Sequence, residues 1–134
     1  MAILRDELIG LRSMDDIIKA RQVVRDCAIV QGLSLVDQTK LVTAASELAR
    51  NTLIHGGGGE MRLQALNDGP RRGVKVMFMD TGPGIADIEL AMKDGYTTKG
   101  GLGLGLSGSK RLVNEFELDS KPGKGTTVTI VRWK

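Results

Sequence analysis

The sequence predicts an α/β fold, and three observations carry that expectation. Two segments with helical spacing precede residue 55. Strand-like apolar runs follow residue 59, and the junctions between segments fall on glycine or proline. A chain of 134 residues, 41% hydrophobic and 26% charged, is expected to form one domain over 1–134 with a buried core.

Each element follows from its local pattern. "AILRDELIGLR" reads as a strand whose apolar residues alternate poorly. "SMDDIIKARQVVRDCAIVQG" reads as a helix with Ser13 as N-cap, acidic residues in its first turn and Gly32 as its stop. In "SLVDQTKLVTAASELARNTLIHGGGG", Leu41, Ala44, Ala45, Leu48 and Thr52 recur at helical spacing until the glycines at 56–59 end the helix. "EMRLQALND" and "GVKVMFMD" read as strands around a Gly69-Pro70 turn, the second apolar enough to be central in a sheet. "TGPGI" is a turn, "ADIELAMKDG" a short helix, "LSGSKRLVNEFEL" a further helix, and "GTTVTIVRW" a closing strand.

Composition narrows the function classes. A net charge of +3 with interspersed signs argues weakly for acidic partners or phosphates and hardly at all for nucleic acid. With 3% aromatic residues, base-stacking platforms are not expected. One cysteine and one histidine exclude the usual zinc constellations, and Cys27 reads as a small core residue. Neither a signal peptide nor an apolar run long enough to span a bilayer is evident, so a cytoplasmic protein that does not engage membranes is expected.

Three features carry chemistry. In "SELARN", Glu47 and Asn51 project from one helix face about 40° apart and about 6 Å along it. A carboxylate that accepts a proton beside an amide oxygen that ligates Mg²⁺ suits phosphoryl transfer; a solvated helix face is the bland alternative. In "MDTGPGI", Asp80 ends a strand and enters a turn with Gly82 and Gly84. Its carboxylate accepts either from its own turn, as in an Asx-turn, or from a donor such as the adenine amine. In "GGLGLGLSGSK", Gly103, Gly105 and Gly108 form a nominal GxGxxG, but no strand immediately precedes it and no acidic residue stands about 20 positions on, so the dinucleotide-binding reading fails. A Walker loop fails as well, because Lys110 follows Ser109 and no hydroxyl residue comes after it. What remains is a glycine loop feeding a helix N-terminus, where orphan N–H groups favour phosphate.

The order of these features, with "GKGTT" before the closing strand, resembles the GHKL ATPase family of histidine kinases, gyrase-type ATPases and heat-shock chaperones. More narrowly, "VDQTKLVTAASELARN", "DTGPGI", "DGYTTKGGLGLGLSGSKRL" and "IVRW" resemble the RsbT-type serine/threonine kinases of bacterial stress-signalling complexes, relatives of the anti-sigma-factor kinases. The resemblance implies a two-layer α/β sandwich with a mixed, largely antiparallel sheet and helices on one face. It implies ATP and Mg²⁺ as cofactors, Glu47 as the general base for a protein hydroxyl, Asn51 as the Mg²⁺ ligand and Asp80 as the adenine anchor. Gly82, Gly84 and Thr126 match further nucleotide-pocket positions, and Gly101, Leu102, Gly103 and Gly105 match the loop over the phosphates. The stretch from Gly95 to Gly101 lacks the arginine that the anti-sigma-factor kinases present to the terminal phosphate, and Lys99 is the candidate substitute.

The implied activity is phosphorylation of a STAS-domain scaffold protein. The alternative is a binding module that holds ATP and activates a PPM-type, metal-dependent phosphatase by docking. A sensor-kinase fragment is a weaker third reading, since no dimerisation domain supplies a histidine. His55 reads as a cap for the last carbonyls of its helix. The methionines read as core filling, with Met77 and Met79 as possible walls of an adenine pocket.

Overall fold

The computed structural model describes residues 1–85, 92–93 and 105–134. The elements run β1 (Ala2–Leu11), α1 (Met14–Val30), α2 (Leu35–Ile54), β2 (Gly59–Asp68), β3 (Arg71–Asp80), α3 (Gly105–Arg111), β4 (Glu115–Lys121) and β5 (Gly125–Trp133). The expected helix in "ADIELAMKDG" falls largely outside the described residues.

Both long helices begin and end where their chemistry dictates. Ser13 Oγ accepts from the Asp16 N–H at the start of α1, and Ser34 Oγ accepts from the Asp37 N–H at the start of α2. At the end of α1, Gly32 adopts a φ of 81°, its N–H donates to Ile29 O, and the Leu33 N–H donates to Ala28 O. That paired closure is a Schellman motif, and Leu33 is buried against the core as the motif favours. The stripe Leu41, Ala44, Ala45, Leu48 and Thr52 of α2 is buried as its spacing requires.

The strands form one five-stranded sheet in the order β1-β2-β3-β5-β4. Among the described residues all four pairings are antiparallel, in keeping with the expected largely antiparallel sheet. The central position falls to β3, as its apolar run requires. The poor alternation of β1 has a local cause: its register on β2 shifts between Ile3 and Arg5, and such a bulge moves side chains from one face to the other.

One face of the sheet packs against α1 and α2. Met61 and Leu63 of β2, Val74, Val76 and Phe78 of β3, and Val128 and Ile130 of β5 join Val24, Cys27, Leu41 and Leu48 in a single core. Cys27 is 1% exposed, and burial pushes its thiol above the ordinary range. Met61 lies in this core, whereas Met77 and Met79 alternate onto the opposite face from Phe78 and Asp80 and are only half-buried. They therefore stand on the sheet face away from Asp80, not beside it as walls of an adenine pocket.

The helix expected over "LSGSKRLVNEFEL" is two elements. α3 ends at Arg111, and a strand begins at Glu115. The Asn114 N–H donates to Val131 O, and Asn114 Oδ1 accepts from the Trp133 N–H, which brings the chain into the ladder of β5. In "EFELDSK", Phe116, Leu118 and Ser120 turn inward while Glu115, Glu117 and Asp119 are exposed. That strict alternation marks a half-buried strand, and the pairing with β5 outweighs any helical tendency.

Two polar contacts fasten helices to sheet. Gln31, 2% exposed at the end of α1, donates from Nε2 to Leu66 O at 2.8 Å and Gly73 O at 2.9 Å. Arg132 of β5 donates from Nη2 to Asp37 Oδ1 at 2.7 Å, tying the first turn of α2 to the sheet. Replacing Gln31 by leucine removes the only described side-chain donor to either carbonyl, so Gln31→Leu should destabilise the fold by about 1–3 kcal/mol in urea titration. The Arg132 guanidinium holds the Asp37 carboxyl below the usual carboxylate range. Its contribution is therefore complete above the unfolded-state value near pH 4 and is lost as pH falls through the lower folded-state value. Asp37→Asn should flatten the acid limb of stability in that window, measured by urea midpoints from about pH 6 down to about pH 2.

Candidate functional site

On the helix-facing side, residues line up in rows across the strands. Leu63, Val76, Ile130 and Phe116 form one row, and Met61, Phe78, Val128 and Leu118 the next. The row beyond them, at the end of the sheet, is Gly59, Asp80, Thr126 and Ser120. An apolar face thus ends in a carboxylate and two hydroxyls, placed side by side by strand register alone.

Each polar group in this row is fixed by a specific partner. The Gly82 N–H donates to Asp80 Oδ1 at 2.9 Å, so the Asx-turn is present. It engages one oxygen, and a carboxylate has acceptor capacity on the other. Ser120 Oγ lies 2.8 Å from Thr126 Oγ1, accepts from the Ile85 N–H at 2.8 Å, and lies 3.2 Å from Gly125 O. The Gly123 N–H donates to Pro83 O at 2.7 Å, so the β4–β5 hairpin grips the segment that follows Asp80 from two points.

Glycine is favoured here because neighbouring backbone, or at Gly56 the Asp80 side chain, passes too close for a Cβ. A Cβ at Gly56 would sit 2.4 Å from Asp80 Cγ, and one at Gly82 would sit 2.7 Å from Gly56 O. One at Gly84 would meet Lys121 O at 2.2 Å, and one at Gly125 would meet Asp80 O at 2.1 Å. Gly84 and Gly125 also have φ values of 74° and 90°, which side chains rarely adopt. The end of α2, the turn after β3 and the β4–β5 hairpin therefore converge on Asp80. A cavity of about 180 Å³ lies along the β4–β5 hairpin at this end of the sheet, lined by Asp80, Asp119, Ser120, Lys121, Lys124, Gly125, Thr126 and Thr127.

Glu47 and Asn51 are half-buried on α2, beside the buried Leu48 and Thr52. The Asn51 carbonyl accepts from the His55 and Gly56 N–H groups, which turns the chain toward Gly56 and its contact with Asp80. His55 is the C-cap residue of α2, and its backbone N–H makes the capping bond. α3 packs against α2 through its first turns, with Leu106 in the core and Ser109 fully buried. Gly105, expected in the loop, is the first residue of that helix, whereas Lys99, Gly101, Leu102 and Gly103 lie outside the described residues. Of the predicted residues, Asp80, Gly82, Gly84 and Thr126 thus meet in one place, with Glu47 and Asn51 on the adjoining helix. Ser120 was not foreseen, and the alternation of "EFELDSK" is the signal that would have found it. Among the described residues no group of three or more His, Cys, Asp or Glu side chains is arranged to hold a metal. No helix among them is long and apolar enough to cross a membrane.

The family described as histidine kinase-, DNA gyrase B- and HSP90-like ATPase matches residues 36–134, from α2 through β5. The chain belongs to that ATPase family. Within it, the chain is 45% identical over 118 residues to the serine/threonine-protein kinase RsbT of Bacillus subtilis (strain 168), covering 88% of this chain and 89% of the relative. It is 32% identical over 120 residues to the anti-sigma F factor of Thermoanaerobacter sp. (strain X514), covering 85% and 82%. The crystal structure of the RsbU and RsbW domains of a Mycobacterium tuberculosis protein superposes with a TM-score of 0.63 at 19% identity, covering 97% of this chain and 33% of that one. That structural likeness establishes the shared fold. The sequence likeness makes the chain an ATP-using kinase-type member of the family.

The convergence on Asp80 has a direct mechanical consequence. Gly123→Ala meets only the backbone penalty of a φ of 77° with open space around it, about 1–2 kcal/mol. Gly125→Ala adds a collision with Asp80 O, and its denaturant midpoint should fall clearly further than that of Gly123→Ala.

Proposed function

We propose that the chain is an ATP- and Mg²⁺-dependent serine/threonine kinase that phosphorylates a hydroxyl on a STAS-domain scaffold protein and is then released to another partner. The observation that carries this reading is the polar row Asp80–Thr126–Ser120, at the end of an apolar sheet face, against which the terminus of α2 is pressed through Gly56. The row offers a base edge a carboxylate acceptor beside a hydroxyl, and the apolar rows behind it end at the same place. The 45% identity to a serine/threonine-protein kinase supports the choice of a protein hydroxyl as acceptor.

In this reading Asp80 accepts a hydrogen bond from the adenine amine while Gly82 holds its other oxygen. Glu47 stands on α2 to take the proton of the attacking serine or threonine hydroxyl. As the new oxygen–phosphorus bond forms, the bond to the departing diphosphate breaks, with its electrons left on the diphosphate. The Asn51 amide oxygen is the protein ligand for Mg²⁺. Mg²⁺ keeps waters and phosphate oxygens and takes one or two protein ligands, a role that one amide oxygen on α2 can fill. Bound there, Mg²⁺ supplies charge neutralisation on the phosphates. Lys99 and the glycines Gly101, Gly103 and Gly105, with Leu102, are assigned to the phosphate end by resemblance.

Phosphorylation places about two negative charges where a neutral hydroxyl had docked near Glu47, and repulsion releases the product. The freed chain then docks on a second target, for which a PPM-type phosphatase is the proposed class.

The roles separate experimentally. Asp80→Asn presents an amide donor to the adenine amine and should weaken ATP binding at least about tenfold by calorimetry, corresponding to roughly 1.5–3 kcal/mol. Glu47→Ala should keep ATP binding and lose about 10²–10⁴-fold in phosphate transfer to a STAS protein, whereas Asn51→Ala should also lose the Mg²⁺-dependent part of binding. Full transfer activity in Glu47→Ala would remove it as the base. Wild-type chain that binds ATP and transfers phosphate to no STAS protein would favour action by docking alone.

A further inference from the structure

We infer that Ser120 is a positioning residue for nucleotide recognition, one that aims the Thr126 hydroxyl as a hydrogen-bond donor at the acceptor atom beside the adenine amine. The inference rests on the reading above that a purine nucleotide lies against Asp80 and Thr126.

The argument is an accounting of protons. Ser120 has one hydroxyl hydrogen and, among the described residues, three polar neighbours: the Ile85 N–H and Thr126 Oγ1, each at 2.8 Å, and Gly125 O at 3.2 Å. A backbone N–H only donates, so Ile85 fixes Ser120 Oγ as an acceptor on that side. The single hydrogen then goes to Thr126 at the ordinary O–H···O length, or to Gly125 at a longer and weaker one. When a ligand acceptor draws the Thr126 hydrogen outward, Ser120 supplies its own hydrogen to the oxygen left behind. Ile85, Ser120 and Thr126 then form a chain of donors running in one direction, and each bond polarises the next.

Register decides where that chain ends. Thr126 pairs with Ser120 on one side and with Asp80 on the other, so the aimed donor stands one strand away from an acceptor-only carboxylate. An acceptor beside a donor matches the adenine edge, whose amine donates and whose neighbouring ring nitrogen, N1, accepts. A guanine edge offers a carbonyl oxygen and an N–H at those places and meets both groups with the wrong polarity. Ser120 thereby serves the discrimination between bases without touching the base itself.

The test uses the whole chain with two nucleotides, ATP and 1-deaza-ATP, in which a C–H replaces the N1 acceptor. Wild type should bind 1-deaza-ATP about 3–10-fold more weakly than ATP. Ser120→Ala should lose a similar factor for ATP and little for 1-deaza-ATP, so that the two affinities converge. Thr126→Val should do the same, and the double variant should be no worse than Thr126→Val alone. Ser120→Cys, which keeps the bulk but offers a weak donor, gives the same reading should Ser120→Ala fold poorly. Equal losses for both nucleotides in the Ser120 variants would make Ser120 a plain buttress of the turn at Ile85 and overturn the inference. Wild type that binds both nucleotides equally would also overturn it while leaving the kinase reading intact, whereas wild type that binds neither would overturn the kinase reading itself.

Discussion

The in-register antiparallel pairing of β3 with β5 is the constraint on which the rest of the structure depends. It stacks Val76 on Ile130 and Phe78 on Val128, and by continuing two residues further it sets Asp80 beside Thr126. A slip of β3 by one residue would turn Phe78 outward and carry Asp80 to the face opposite Thr126, so the burial of the core and the assembly of the polar row are the same event. The core holds the register, and the register builds the site.

Close approach of backbones is the second condition. Gly56, Gly82, Gly84 and Gly125 come from three separate turns, and each admits a neighbouring carbonyl or carboxylate where a methyl group would collide. Glycine here gives contact rather than looseness. Helix α2 reaches Asp80 only because its terminus runs through such residues, and the hairpin beyond β4 closes on the opposite side in the same way.

Much of this was legible in the sequence. Ser13 and Gly32 marked the limits of α1, the buried stripe marked α2, and the apolar run of β3 marked the centre of the sheet, because caps, periodicity and burial are local consequences of residue type. The convergence of Asp80, Gly82, Gly84 and Thr126 was legible through motif order, as was the placement of Glu47 and Asn51 on one helix. Three things were not. The apolar residues of "NEFEL" suit a helical face as well as a strand, and only the ladder with β5 decides between the two. The outward face of Met77 and Met79 depends on the parity of β3 relative to its neighbours, which composition does not reveal. Gln31 and Ser120 are polar residues whose importance comes from partners distant in sequence, Leu66 and Gly73 in one case and Ile85 in the other.

The fixed polar row has a consequence for the distribution of ordering across a bound nucleotide. Asp80, Thr126 and Ser120 are already restrained by strand pairing and by hydrogen bonds to Gly82 and Ile85. Under the proposed function, little rotamer freedom remains to be surrendered at the place assigned to the base, so the base end would act as a fixed bearing for the rest of the nucleotide.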